Sequence, residues 1–239
     1  VEEWKEGSAG RLAGNLETVR ARIAAACGRA DRDPGEITIV AVTKYVGPAP
    51  IRTLVDLGLT HMGENRVQAA REKAPQVGGD VTWHMVGHLQ RNKTKKALDV
   101  FGWLHSLDSL RLAEVLDKEL DRRGRKGFPV LVQVNVAREE QKSGVAENEL
   151  RDFVGALRRF ERLGVQGLMT MAPFSEAAEQ SRPVFARLRE LREALRAEFP
   201  DMVLPHLSMG MTQDYEVAVE EGATLVRIGT ALFRGVEGV

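Results

Sequence analysis

Lys44 ends the run Ile37-Thr38-Ile39-Val40-Ala41-Val42-Thr43, which carries no charge. Seven β-forming or small residues in a row read as a strand buried on both faces, as in a parallel sheet. In α/β folds, ligands gather at the carboxyl ends of the strands. An amine buried there against a dry sheet end is placed to attack a carbonyl. The competing reading is a lysine that snorkels to water. The other strand ends are crowded with small, hydroxylated and amide residues: Gly63-Glu64-Asn65-Arg66, His84 to Gln90, His105-Ser106, Gln133, Asn135 and Met169-Thr170-Met171. The last two strands end in Ser208-Met209-Gly210-Met211-Thr212 and in Gly229-Thr230. Each is an ordinary turn by itself. Together, on consecutive final strands, their N–H groups and hydroxyls predict a phosphate site. Strand alternation puts Leu225, Arg227 and Gly229 on one face. Arg227 should therefore point into the same interior, where a buried guanidinium needs an acceptor: a carboxylate of another strand, or a ligand atom.

These ends need elements to carry them. Leu12, Leu16, Val19 and Ile23 form one apolar stripe, which predicts a helix over 8–30 with Ser8 as its N-cap. Asp33-Pro34-Gly35 then breaks the chain. Strands are expected at 37–43, 60–63, 81–86, 103–107, 128–136, 165–170, 203–208 and 225–228. Between them, helices are expected from Pro48 to Leu57, over 64–73 and over 91–98. Further helices are expected from an Asp108 cap, through Leu150 to Phe160, from Pro183 through Phe199, and over 215–221. Eight βα steps predict an α/β fold, a (β/α)8 TIM-type barrel with an extra N-terminal helix, with 1–239 as a single domain. An open doubly wound sheet is the alternative, because local pattern does not show closure.

The composition narrows the partners. With 34 basic and 34 acidic residues, no global field recruits nucleic acid or a membrane surface. No apolar run approaches the roughly 20 residues that span a bilayer. The start, VEEWKEGSAG, has no signal-peptide pattern. The single Cys27 cannot form an intrachain disulfide and fits a reducing, cytoplasmic setting. No metal site is expected: His84 and His88 are four apart but straddle Gly87, where strand turns to loop. Ser208 lacks the flanking glycine of a nucleophile elbow. The cluster Arg91, Lys93, Lys95 and Lys96 reads as a solvated helix face.

Several strings resemble a known family. AVTK at 41–44, GENRVQ at 63–68, WHMVGHLQRNK at 83–93, VNVAREEQKSG at 134–144, GLMTMAP at 167–173, LSMGMTQDY at 207–215 and VRIGTALF at 226–233 are similar to YggS-type pyridoxal phosphate homeostasis proteins. The resemblance implies a barrel like the N-terminal domain of alanine racemase, with Lys44 holding pyridoxal 5′-phosphate (PLP) as a Schiff base. By motif it implies Ser208, Gly210, Gly229 and Thr230 around the phosphate and Arg227 at the pyridine nitrogen, with Asn65 and Met211 lining the ring pocket. Arg234 departs from the family pattern, in which Phe is usually followed directly by Gly.

The residues and the resemblance converge on the three handles of PLP: aldehyde, phosphate and ring nitrogen. The expected function is a cytoplasmic, monomeric carrier that holds PLP for vitamin B6 homeostasis, with apo PLP-dependent enzymes as recipients and small amino acids as weak transimination ligands. No catalytic residue is assigned. Rival readings are a PLP-dependent racemase or decarboxylase, and a Schiff-base aldolase without PLP. A racemase of this fold type takes a second acid–base tyrosine from a C-terminal domain, which the sequence is expected to lack. Tyr45 and Tyr215, the only tyrosines, are then the candidates at the barrel mouth.

Overall fold

The computed structural model describes residues 6–137 and 143–236; the middle of the 134–144 string lies outside them. Eight strands form a closed parallel barrel in chain order: β1 (Thr38–Val42), β2 (His61–Glu64), β3 (Thr82–Met85), β4 (Trp103–Leu107), β5 (Phe128–Gln133), β6 (Leu163–Met169), β7 (His206–Ser208) and β8 (Leu225–Ile228). Closure excludes the open sheet: β1 pairs with β2 on one side and β8 on the other, Val40 opposite Arg227. The helices are α1 (Glu6–Arg29), α2 (Pro48–Asp56), α3 (Val67–Val77), α4 (Thr94–Ala97), α5 (Leu110–Arg122), α6 (Glu147–Leu157), α7 (Arg182–Glu198), α8 (Tyr215–Glu220) and α9 (Thr230–Phe233).

Pattern and structure part at element ends. Ser8 lies inside α1 and does not cap it. The cap of α5 is Ser109, whose hydroxyl accepts from the Leu112 N–H, one residue after the expected Asp108. The basic stretch after β3 is a 3₁₀ turn, Arg91–Lys93, followed by the single turn of α4. β7 starts only at His206, because Leu204 has φ +43° and Pro205 has no N–H for a ladder.

Side chains alternate between helices and interior. Ala41, Met62, Met85, Val130, Leu168, Leu207, Val226 and Ile228 bury in the main core outside the barrel, which also takes the α1 stripe of Leu12, Leu16, Val19 and Ile23. α1 lies against α8 and α9. Inside, Val40, Leu131, Met169 and Leu225 form a small apolar cluster of their own. The rest of the interior differs from the branched aliphatic layers usual in such barrels: His84, His105, Ser208 and Arg227 are all buried there.

Candidate functional site

The carboxyl ends of the strands open into a cleft of about 440 Å³, which brings together Lys44, Asn65, Met211, Arg227, Gly229 and Thr230. Its size suits a small cofactor. A larger hollow, about 750 Å³, lies at the other end of the barrel around Gln166, Asp201 and Pro205. It holds no nucleophile and no strand carboxyl end, so the chemistry belongs to the first cleft.

Lys44 follows β1 by two residues, in phase with Val40 and Val42. It is exposed, as the water-facing of the two readings expects, and its Nζ lies 4.9 Å from the centre of the Tyr45 ring. The backbone before it is held firmly. Thr43 donates from its N–H to the Gly63 carbonyl (2.9 Å) and from its hydroxyl to Glu64 Oε1 (2.9 Å). Lys73 Nζ donates to both the Thr43 carbonyl (2.7 Å) and Glu64 Oε1 (2.6 Å). Glu64 is fully buried behind the strand and Lys73 half-buried, so the exposed Lys44 follows a firmly held backbone.

The phosphate-type turns meet across the mouth. Met211 donates its N–H to Asp214 Oδ1 (2.7 Å), and Asp214 Oδ2 accepts from the Ser181 hydroxyl (2.8 Å). The Thr212 hydroxyl accepts from the Ala231 N–H (3.2 Å), tying the β7 turn to the β8 turn. Thr212 and Thr230 both line the cleft. Ser208 does not: it is fully buried below, its hydroxyl engaged by Arg227 and His105. Gly210 acts on the backbone. Its φ is +90°, and a Cβ there would lie 2.5 Å from the Ala218 Cβ, so only glycine lets α8 pack under the turn. The hydroxyl pair is therefore Thr212 and Thr230, with Ser208 one layer deeper.

Arg227 does face inward. It reaches the cleft wall, and its guanidinium donates to Ser208 Oγ (2.6 Å) and the Thr170 carbonyl (2.8 Å). Burial lowers its pKa to about 10, opposed by the Asp214 charge, so it stays protonated at neutral pH. Its hydrogen-bond acceptors here are neutral groups. Val42, Val86, Met171 and Met211 supply apolar walls, and Tyr45 and Phe174 stand exposed at the rim. The other named residues lie elsewhere. Tyr215 is buried under α1 with the Arg22 guanidinium over its ring. His84 is buried inside the barrel, and His88 pairs with Asp108 outside it.

The sequence profile of the alanine racemase N-terminal domain matches residues 14–236. A pyridoxal phosphate homeostasis protein of Aquifex aeolicus (strain VF5) is 42% identical over 222 residues, 91% of this chain and 95% of that protein. One from Escherichia coli (strain K12) is 38% identical, covering 93% and 95%. The chain belongs to the pyridoxal phosphate homeostasis family. Among solved structures, that of PipY of Synechococcus elongatus PCC7942 with PLP bound superposes with a TM-score of 0.82 at 35% identity, over 93% of this chain and 99% of that one. Alanine racemase from Corynebacterium glutamicum has a TM-score of 0.71 at 15% identity over 94% of this chain and 60% of its own length, which shows a common barrel.

The structure brings Lys44, Arg227 and residues of both turns, which sequence reasoning names, to one cleft. Of the hydroxyls in the 208–212 turn, Thr212 is the one that lines the cleft; the Glu64–Lys73 base and the histidines joined to Ser208 were missed. The signal for the last was an alternating register: His84, His105 and Ser208 all occupy inward positions of their strands.

Proposed function

We propose that the protein holds PLP covalently on Lys44 and gives it up again, without efficient turnover of amino acids. The observation that carries the reading is the meeting, in one cleft, of an exposed amine, a hydroxyl pair and a buried cation. These match the aldehyde, phosphate and ring nitrogen of the cofactor. The bound PLP would supply an electrophilic carbon and a conjugated ring. Lys44 Nζ would take the carbon, and Thr212, Thr230 and the Gly229–Thr230 turn would take the phosphate. Arg227 would face the ring nitrogen, and Asn65 and Met211 would border the ring.

Two features favour holding over catalysis. Arg227 brings a positive charge whose acceptors leave it unneutralised, and a cation there disfavours protonation of the ring nitrogen. An unprotonated ring accepts electrons poorly. Second, among the described residues the tyrosine at the cleft is Tyr45, which is 80% exposed and sits beside Lys44. An open, aromatic rim suits exchange of the cofactor with amino acids or with apo-enzymes in the cytoplasm. Among the described residues no helix is long and apolar enough to cross a membrane.

The test has two parts. Borohydride should fix PLP to the parent chain and leave Lys44→Ala unlabelled, although Lys44→Ala, a change at an exposed side chain, melts within about 0.5 kcal/mol of the parent. In heavy water, the loaded protein should not exchange the Cα proton of L- or D-alanine over many turnovers. Sustained exchange or racemisation makes the protein a racemase-type enzyme, and label on Lys44→Ala moves the covalent site.

A further inference from the structure

A line of polar groups runs through the barrel behind Arg227, away from the cleft. Arg227 Nη1 lies 2.6 Å from Ser208 Oγ, and Ser208 Oγ lies 2.9 Å from His105 Nδ1. His105 Nε2 is 2.9 Å from His84 Nδ1, and His84 Nε2 is 2.9 Å from His61 Nδ1. His61 is half-buried and lines a hollow at the opposite end of the barrel, with Thr38, Thr60 and Arg20. The line steps across β2, β3 and β4 and then spans the interior to β7 and β8. Trp103 packs beside it, stacked on His84 at 5.7 Å and edge-on to His105 at 6.2 Å.

Chemistry gives the line a direction. A guanidinium only donates, so Ser208 Oγ accepts from Arg227. The Ser208 hydrogen then goes to His105 Nδ1. That makes His105 an Nε2–H tautomer, which donates to His84 Nδ1. His84 is fixed likewise and donates to His61 Nδ1. The reverse direction aims two donors at Ser208 and leaves its own buried hydrogen without an acceptor, at a cost of about 1–3 kcal/mol. Each imidazole must also stay neutral, because an imidazolium has no acceptor nitrogen. Burial works that way: it drops His84 to about 3, helped by His61 and His206, and pulls His105 well below its ordinary range.

We propose that Ser208, His105, His84 and His61 are positioning residues, a directional string of neutral groups that orients the Arg227 guanidinium toward the ring nitrogen of the cofactor. The proposal rests on the PLP reading above. A carboxylate in place of Ser208 would hold Arg227 equally well but would cancel its charge. The string supplies the hydrogen bond and leaves the charge to act in the cleft. Because hydrogen bonds in a chain polarise one another, links distant from Arg227 also strengthen its hold.

The direct test is the tautomer of each imidazole in the cofactor-free protein, read by long-range ¹⁵N–¹H correlation at pH 7. His84 and His105 should both be neutral with the proton on Nε2; an Nδ1–H tautomer or an imidazolium at either overturns the string. This measurement does not involve PLP, so it stands apart from any failure of the function reading, which would show as no borohydride label on Lys44. The second test loads parent, His105→Phe and His105→Asn with ring-¹⁵N PLP. The parent ring should read as unprotonated. His105→Phe removes the acceptor for Ser208 and should shift the signal upfield, toward the protonated value, while Lys44 still labels. His105→Asn offers an amide oxygen in the place of Nδ1 and should restore the parent signal. An unchanged signal in folded His105→Phe overturns the positioning role. If His105→Phe does not fold, the tautomers of the parent decide.

Discussion

Removing Lys73 tests whether the buried pair behind β1 is what fixes the base of Lys44. The Glu64 side chain is fully buried and Lys73 is 14% exposed, with Nζ 2.6 Å from Oε1. Glu64 Oε2 has no partner among the described residues, so its oxygens depend on Lys73 and the Thr43 hydroxyl. Lys73→Met keeps most of the apolar stem and deletes the charge, which strands a carboxylate in the core. Breaking one half of a buried pair costs about 3–5 kcal/mol. Lys73 is partly exposed, so water can reach the vacated place, and we expect the lower end, about 3 kcal/mol. For a domain of this size that lowers Tm by roughly 6–12 °C. The double variant Lys73→Met with Glu64→Gln removes the stranded charge and should recover more than half of the loss, which a double-mutant cycle by urea denaturation measures. Because Lys73 also holds the Thr43 carbonyl, borohydride labelling of Lys44 should slow in the single variant, although Lys73 does not line the cleft. A single variant within about 1 kcal/mol of the parent, or a double variant no better than the single, refutes the argument.

Thr212→Val with Thr230→Ala should weaken PLP retention while leaving unphosphorylated pyridoxal binding at the parent level. Each hydrogen bond to a charged group is worth about 1.5–3 kcal/mol, so each change should cost roughly tenfold to a hundredfold in affinity; equal losses for both ligands would place the phosphate elsewhere. Acid should unfold the protein through its interior histidines. His84 is held near 3 against about 6.5 in an unfolded chain, and His105 is depressed in the same direction. The unfolded chain therefore takes up protons that the folded chain refuses as pH falls from about 6.5 toward 3. Stability is complete above that window and drains within it, by about 2 kcal/mol at pH 5 from His84 alone. A urea midpoint that stays level from pH 7.5 to pH 5 contradicts this.

The barrel was legible because βα alternation is a local pattern and the strand cores are apolar. Lys44 and the β7 and β8 turns were legible because strand ends are found by counting. Depth was not legible. Period-two alternation correctly turned Arg227 inward, and it places Ser208 inward as well, but it does not say how far below the mouth each residue sits. The motif carries Ser208 toward the phosphate, and the turn offers both Ser208 and Thr212; only the fold shows that Thr212 lines the cleft and Ser208 lies buried. The exposure of Lys44 depends on the turn at Thr43 to Val46, which lifts the chain out of the strand. The histidine line needed a contact between β4 and β7, His105 to Ser208, 103 residues apart in the chain, and closure is what brings them together.

The interior polarity bears on function more than the cleft outline does. Several chemistries could use a lysine at a barrel mouth with hydroxyls across from it. On the proposed reading, what discriminates is the charge that would meet the ring. The carboxylate whose charge acts on Arg227 is Asp214, and both of its oxygens are engaged, one by the Met211 N–H and one by the Ser181 hydroxyl. Asp214 thus shapes the turn around Met211. The groups that touch Arg227 are a hydroxyl and a carbonyl, and behind the hydroxyl stand imidazoles that burial keeps neutral. Such a surround keeps a buried cation oriented without quenching it. A ring nitrogen facing that cation is discouraged from taking a proton, and the ring is thereby made a poor sink for the electrons of a Cα carbanion. Covalent capture and release at Lys44 do not require that sink. On the proposed reading, the barrel interior would disfavour the demanding half of PLP chemistry and leave the half that a carrier uses.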